Sequence, residues 1–245
     1  MNAVIDLLKS HRSIRRFTDQ PIDPAMLEEI LLAGQAAATS SYIQATTIVR
    51  VTDPAKRDKL AEYAGGQKYV ASAAEFLVFC ADLARAQLCC EIQGVEPVSG
   101  FTEQFIIATV DVALNAQNVA VAAESLGLGI CFIGGLRNNP QQVSDLLDLP
   151  DQVYPVFGFC LGYPDQEVDL RPRLPLPVVV KQDCYNTDGD RETILDYDKR
   201  VEKYYAKRLG GGKAMTWTKQ VAGLAGKESR PHMLSFLQAK GFLQR

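Results

Sequence analysis

Hydrophobic positions along this chain recur at helical and strand-like spacings, and the two alternate. Val4, Ile5, Leu7 and Leu8 fall on one face of a helix over residues 3–9. A second helix begins at Asp23-Pro24: the aspartate suits the cap, the proline suits the first helical position, and Ile22 can staple onto Leu27. A strand over 47–52 follows, and Asp53-Pro54 then repeats the cap signal for a helix reaching about Ala64. The run Phe76-Leu77-Val78-Phe79-Cys80-Ala81 is short, apolar and aromatic-rich, the signature of a buried strand. Residues 102–126 are Ala-rich and apolar on most faces, which predicts a helix enclosed on nearly all sides. Strands over 130–133 and 154–161 flank a helix that starts near Pro140.

Beyond these strands the pattern changes. Residues 171–178, Arg-Pro-Arg-Leu-Pro-Leu-Pro-Val, are too proline-rich for helix, because each proline lacks a donor and restricts the residue before it. The polar remainder has helical pieces broken at Gly210-Gly211-Gly212 and too little apolar periodicity for a core of its own. The expected organisation is a single domain. Its core covers residues 1–175, and an extension over 176–245 wraps that core or a partner subunit.

Composition narrows the class. With 47% hydrophobic residues in 245, the chain can bury a sizeable core. A net charge of -3 argues against a nucleic-acid binder. No apolar run reads as long enough to span a bilayer, and residues 1–16 lack the features of a signal peptide, so a cytoplasmic protein without a membrane partner is expected. Cys80, Cys131 and Cys160 sit in apolar strand-like runs, as small buried hydrophobes do. Cys89 and Cys90 are adjacent and no CxxC pair occurs, so neither disulfides nor a thiolate metal site is expected. Two histidines, His11 and His232, leave no His-rich metal centre.

Two nucleotide motifs fail on inspection. Gly127-Leu128-Gly129 begins like GxGxxG but lacks the third glycine, and it leaves a helix to enter a strand, the reverse of the dinucleotide-binding order. Gly212-Lys213 resembles the end of a P-loop, yet Lys207 stands where the first glycine belongs and Ala214 where Ser or Thr is required. The informative cluster is His11 to Arg15, where Arg12, Ser13 and Arg15 place two guanidinium forks and a hydroxyl in one short stretch after a helix. Guanidinium binds phosphate and other oxyanions bidentately, although such a cluster can equally be a solvated basic face. Arg171 and Arg173 form a second basic set on proline-stiffened backbone, where less entropy is lost on gripping a ligand.

Six motifs in register give a specific resemblance. They are His11-Arg12-Ser13-Ile14-Arg15-Arg16-Phe17, Thr39-Ser40-Ser41-Tyr42, Gly65-Gly66-Gln67-Lys68, Phe132 to Asn139, Arg171-Pro172-Arg173-Leu174-Pro175 and Lys227-Glu228-Ser229-Arg230-Pro231. In order and spacing the chain is similar to the oxygen-insensitive NADPH nitroreductase/flavin reductase family from about residue 4 onward. It departs in an irregular stretch near 89–100, in Thr39 where serine is common and in Arg171 where lysine is common; hydroxyl and charge survive both replacements.

The resemblance implies an α+β fold: a mixed, mostly antiparallel sheet packed by helices. It implies an interlocked homodimer built on the long central helix and the extended tail, with FMN at each of two interface sites. His11, Arg12, Ser13 and Arg15 would contact the FMN phosphate, ribityl chain and pyrimidine edge; Gln67 would hold that edge, and Arg171 and Arg173 would add positive charge. Thr39, Ser40, Ser41 and Tyr42 would come from the partner. Phe132, Ile133, Gly134, Gly135 and Leu136 would pass close to the ring, with a backbone amide aimed at N5 and glycine permitting close approach. Arg15 would favour the two-electron reduced flavin, which is negative near N1 and O2.

Ping-pong hydride transfer follows from the same resemblance, from NADPH to nitroaromatics, quinones or similar acceptors, with no catalytic protein side chain and no metal. Arg208 and Lys213 would bind the NADPH 2′-phosphate; Ser41, Tyr42, Arg137 and Arg230 would surround the acceptor. For Arg230 a salt bridge with Glu103 competes, and for Tyr42 simple packing. Other readings are an NADPH-flavin oxidoreductase that releases reduced FMN, a non-catalytic flavin-binding redox sensor, and a nucleic-acid or anion-binding protein.

Overall fold

A computed structural model describes residues 2–208 and 215–245. The chain divides into two units: one runs to Glu167 and includes Arg230–Arg245, and the other spans Val168–Ser229.

In the first unit the chain runs α1 (Ala3–Lys9), α2 (Pro24–Gln35), β1 (Thr46–Arg50), α3 (Pro54–Tyr63), α4 (Tyr69–Ser72), β2 (Glu75–Asp82), α5 (Ala84–Gln93), α6 (Thr102–Ser125), β3 (Gly129–Ile133), α7 (Pro140–Leu146) and β4 (Val153–Gly162). The cap signals act as expected: Asp23 accepts from the Ala25 and Met26 amides at 2.9 and 3.2 Å, and Asp53 accepts from Ala55 at 2.8 Å. Ile22 and Leu27 are both buried in one cluster, as the staple requires.

Among the described residues the four strands form one sheet of order β1-β2-β4-β3, with every neighbouring pair antiparallel. The mixed character expected of the sheet is reduced to one isolated parallel bridge, Ser13 to Ile130. Because side chains alternate along each strand, β2 builds two cores. Leu77, Phe79 and Ala81 face a cluster that includes α2 and α6 residues, while Phe76, Val78 and Cys80 face one that includes α3 and α7 residues. The chain's end joins the first cluster through α11 (Met233–Ala239) and the residues after it, burying Phe236, Leu237 and Phe242.

Three expectations are corrected here. Helix α6 is enclosed on one face only: Ala108, Val112, Ala116, Val119, Ala120 and Ala123 are buried, while Ile106, Val110 and Leu114 stand 48%, 49% and 42% exposed in a stripe of i, i+4 spacing. By length and composition α6 could also cross a membrane. A search for an unbroken apolar run misses it because Asp111 and Asn115 interrupt the pattern, and its buried face belongs to the core. The stretch near 89–100 is irregular only in its second half: residues 89–93 continue α5 until Gly94, whose φ of 66° ends the helix in the left-handed region, and 95–100 form neither helix nor strand.

The second unit contains α8 (Leu176–Val179), α9 (Asp190–Lys207) and α10 (Trp217–Ala225). Residues 176–179 thus form one helical turn, against the expectation of none in 171–178. Pro177 lies in the first turn, where its missing amide removes no helical bond. Asp198 of α9 locks α10 by accepting from the Thr218 amide at 3.0 Å and from its hydroxyl. None of the unit's described residues joins either hydrophobic cluster. The break at Gly210-Gly211-Gly212 lies outside the described residues.

All six cysteines are free; Cys80, Cys131 and Cys160 are buried and Cys184 is exposed. Burial pushes the Cys80 thiol and the Tyr154 phenol each up to about 12 and holds Cys160 well above its ordinary value. These groups bind their protons more tightly folded than unfolded. Their contribution is therefore complete below the unfolded thiol value of about 8.5 and is lost as pH rises toward 12. The melting temperature should stay level to about pH 8.5 and fall above it. At the plateau, iodoacetamide should alkylate Cys184 and spare Cys80, Cys131 and Cys160 until the protein unfolds. Mass spectrometry showing native labelling of those three would contradict their placement.

Candidate active site

His11 follows α1, and its Nδ1 faces Glu124 Oε1 on the last turn of α6 at 2.6 Å. The Ile14 amide donates to the Ile130 carbonyl at 2.8 Å, so the segment runs against the start of β3. Glycine at 129 makes this approach possible, since a Cβ there would stand 2.6 Å from Ile14 Cγ1. Ile14 is buried, and Arg12 and Arg15 on either side are exposed.

From Arg15 a polar chain leads inward. Burial raises the Tyr69 phenol's pKa, and the neighbouring Arg15 guanidinium pulls it the other way. The Tyr69 hydroxyl donates to Gln67 Oε1, and Gln67 Nε2 donates to the Ala64 carbonyl at 2.7 Å. Gly135 packs against the same corner: a Cβ there would lie 2.4 Å from the Ala64 oxygen and 2.5 Å from Gln67 Nε2. Its lack of a side chain is therefore needed by the protein itself. Gly134 is the more open of the pair, with only the tip of Arg137 3.2 Å from where its Cβ would be. Gly134–Asn138 forms a 3-10 turn whose start has no side-chain cap, which leaves its first amides to other partners. Ile133 and Leu136 are only 1% and 0% exposed, so at these positions only backbone can face a ligand, whereas Phe132 is 38% exposed.

The 3-10 turn continues to the candidate acceptor residues. Arg137 Nη1 donates to the Val156 carbonyl at 2.5 Å; burial lowers the guanidinium's pKa and the neighbouring Arg230 lowers it further. Arg230 Nε donates to Asn138 Oδ1 at 2.9 Å, replacing the expected Glu103 pairing. His232 Nε2 lies 2.9 Å from the Arg137 carbonyl. Neither arginine forms a salt bridge among the described residues, so two adjacent positive charges remain unneutralised.

The loop holding Thr39, Ser40, Ser41 and Tyr42 is built elsewhere on the same unit. Asp111, buried in α6, accepts from the Thr39 hydroxyl, from the Ser40 amide at 3.0 Å and from the Ala45 amide at 3.1 Å. Ser40 and Ser41 are exposed, and Tyr42 is 81% exposed rather than packed. The His11 and Thr39 segments are therefore anchored to α6 thirteen residues apart, roughly 20 Å along the helix. A single chain does not bring these two halves of the predicted site together.

In the second unit, Arg171 Nη2 donates to Tyr205 Oη at 2.6 Å and to Gln220 Oε1 at 2.7 Å, and Tyr197 donates to the Pro172 carbonyl at 2.8 Å. Arg173 is exposed, as is Arg208 just beyond α9; Lys213 lies outside the described residues. Among the described residues no group of His, Cys, Asp and Glu could hold a metal ion.

Reading the sequence missed Tyr69, Asp111 and Glu124. Asp111 had a signal, being the one acid in the interior of an apolar helix, where an unpaired charge is costly. Tyr69 stands directly after Gly65-Gly66-Gln67-Lys68, but nothing in its position announced a link to Arg15.

Residues 8–163 match the nitroreductase family, and residues 171–245 match that family's C-terminal domain. The chain is 46% identical to the NADPH-flavin oxidoreductase of Vibrio harveyi and 43% identical to the oxygen-insensitive NADPH nitroreductase of Salmonella typhimurium, in both cases over 100% of both chains. The fold superposes on the structure of Bacillus megaterium NfrA1 with a TM-score of 0.96 and 41% identity, covering 99% of this chain and 100% of that one.

Proposed function

The chain belongs to the nitroreductase family and is an oxidoreductase, and from that premise we propose that it is an FMN-dependent enzyme passing two electrons from NADPH to nitroaromatics, quinones and similar acceptors. The observation that carries this reading is the Arg15–Tyr69–Gln67 chain lying against Gly135, continuous with the unneutralised Arg137–Arg230 pair. The donor set fits a phosphorylated flavin. It offers exposed guanidiniums for phosphate, an ordered amide for a pyrimidine edge and uncapped backbone amides at a half-open glycine.

When bound, FMN supplies hydride exchange at N5. His11, Arg12, Ser13 and Arg15 bind its phosphate, ribityl and pyrimidine groups, Gln67 orients the pyrimidine edge, and Arg171 and Arg173 add positive charge. Arg15 also sets the electrostatics, since a fixed cation favours an anionic reduced ring. Arg137 and Arg230, with Ser41 and Tyr42, orient the oxygens of the acceptor. Arg208 and Lys213 grip the NADPH 2′-phosphate, so the 176–245 extension contributes to donor and acceptor binding.

The working unit is a homodimer in which Thr39 to Tyr42 complete the partner's site. The roughly 20 Å between the two anchor points on α6 supports this, as does the exposed stripe of Ile106, Val110 and Leu114. Val4, Ile5 and Leu8 of α1 are likewise 56%, 42% and 47% exposed, and apolar patches of this kind mark association surfaces.

Steady-state kinetics test the reading. With NADPH and a nitroaromatic both varied, double-reciprocal plots should be parallel, because donor and acceptor occupy the site in turn. Intersecting lines would show both bound at once and would contradict the shared site.

A further inference from the structure

Asp111 is 3% exposed and forms no salt bridge among the described residues. A carboxylate held this deep must be compensated by donors. Its three named donors, the Thr39 hydroxyl and the Ser40 and Ala45 amides, all come from one loop. The Gln44 amide closes that loop by donating to Thr39 Oγ1 at 2.8 Å, so the Thr39 hydroxyl both donates and accepts inside the protein.

Between these tethers Ser41, Tyr42 and Gln44 have φ of 48°, 60° and 52°. Left-handed backbone at non-glycine residues persists only where the surroundings over-determine it. The same backbone leaves Ser40, Ser41 and Tyr42 exposed.

We propose that Asp111 is the positioning residue of this loop. It holds Ser40 to Tyr42 in their strained presentation and so sets FMN affinity without touching the cofactor. The inference rests on the reading above, in which the 39–42 loop completes the FMN site; Ser40 to Tyr42 present it and Thr39 tethers it. It also places the loop's anchor one residue from Val110 on the stripe assigned to the dimer, so one helix governs both association and the loop.

Fluorescence titration of the flavin-stripped full-length chain with FMN tests this. Asp111→Asn keeps the shape but turns an amide donor toward backbone N–H groups, orphaning at least one of them. It should weaken FMN binding by about tenfold. Thr39→Val cuts the side-chain tether while leaving α6 intact; it should weaken binding in the same direction and decides the matter should Asp111→Asn not fold. Val112→Ala, fully buried beside Asp111, should lower the melting temperature yet keep the FMN Kd within about twofold. If wild type binds FMN and the tether variants bind it equally well, the proposal is overturned while the flavin reading stands. If Val112→Ala weakens FMN as much as they do, the effect is one of stability and the proposal is again overturned. A wild-type chain that binds no FMN overturns the flavin reading itself.

Discussion

Arg15→Ala should reduce FMN affinity by about a hundredfold while leaving the melting temperature nearly unchanged. The side chain is exposed, so little folding free energy depends on it. In the bound state the guanidinium provides a charge-assisted contact of about 1.5–3 kcal/mol, and each 1.4 kcal/mol is tenfold in affinity. Its removal also takes a neighbouring cation away from the Tyr69 phenol, whose hydroxyl orders Gln67. Two elements of the site loosen together, which carries the effect to the upper end of that range. Exhaustive dialysis followed by a visible spectrum reads the result, and a variant that keeps its full flavin absorbance would remove Arg15 from the site.

Gly135→Ala should cost stability and cofactor together. The added Cβ would sit 2.4 Å from the Ala64 carbonyl oxygen, which is backbone, and 2.5 Å from Gln67 Nε2, which is tied to that same oxygen. Neither can yield alone, so the 3-10 turn must move. Overpacking of this kind costs about 1–3 kcal/mol, or roughly 2–12 °C in melting temperature for a chain of this size. FMN affinity should fall as well, because Gln67 is displaced with the turn. Gly134→Ala is the comparison: its Cβ would meet only the flexible end of Arg137 at 3.2 Å, so it should lose less stability. Equal melting temperatures for the two variants would contradict the packing described for Gly135.

Much of the fold was legible because its signals are local. Asp23-Pro24 and Asp53-Pro54 start helices where the chain needs them, and the strands hold near-continuous apolar runs, 76–81 and 153–162, because both faces of the sheet are covered. The turn at 176–179 was misread because proline forbids a helix interior but not a first turn. The exposure of α6 was misread because apolar periodicity says which faces avoid water, not whether this chain or another covers them. At the site, residue types were readable and partnerships were not. Arg15 and Gln67 stood out as a guanidinium and an amide in ordered motifs, but the link between them runs through Tyr69, which lies beside Gln67 in sequence and far from Arg15. The bond from the Thr39 hydroxyl to Asp111, 72 residues away, was likewise not readable from the motif that contains Thr39.

The central claim is that this chain holds a flavin which NADPH reduces and a small acceptor reoxidises. The visible spectrum of the purified protein, recorded anaerobically before and after NADPH, tests it most directly. The account predicts a yellow protein whose flavin absorbance bleaches with NADPH and returns when a nitroaromatic is added. A colourless protein that takes up no FMN, or a yellow one that NADPH does not bleach, would contradict it.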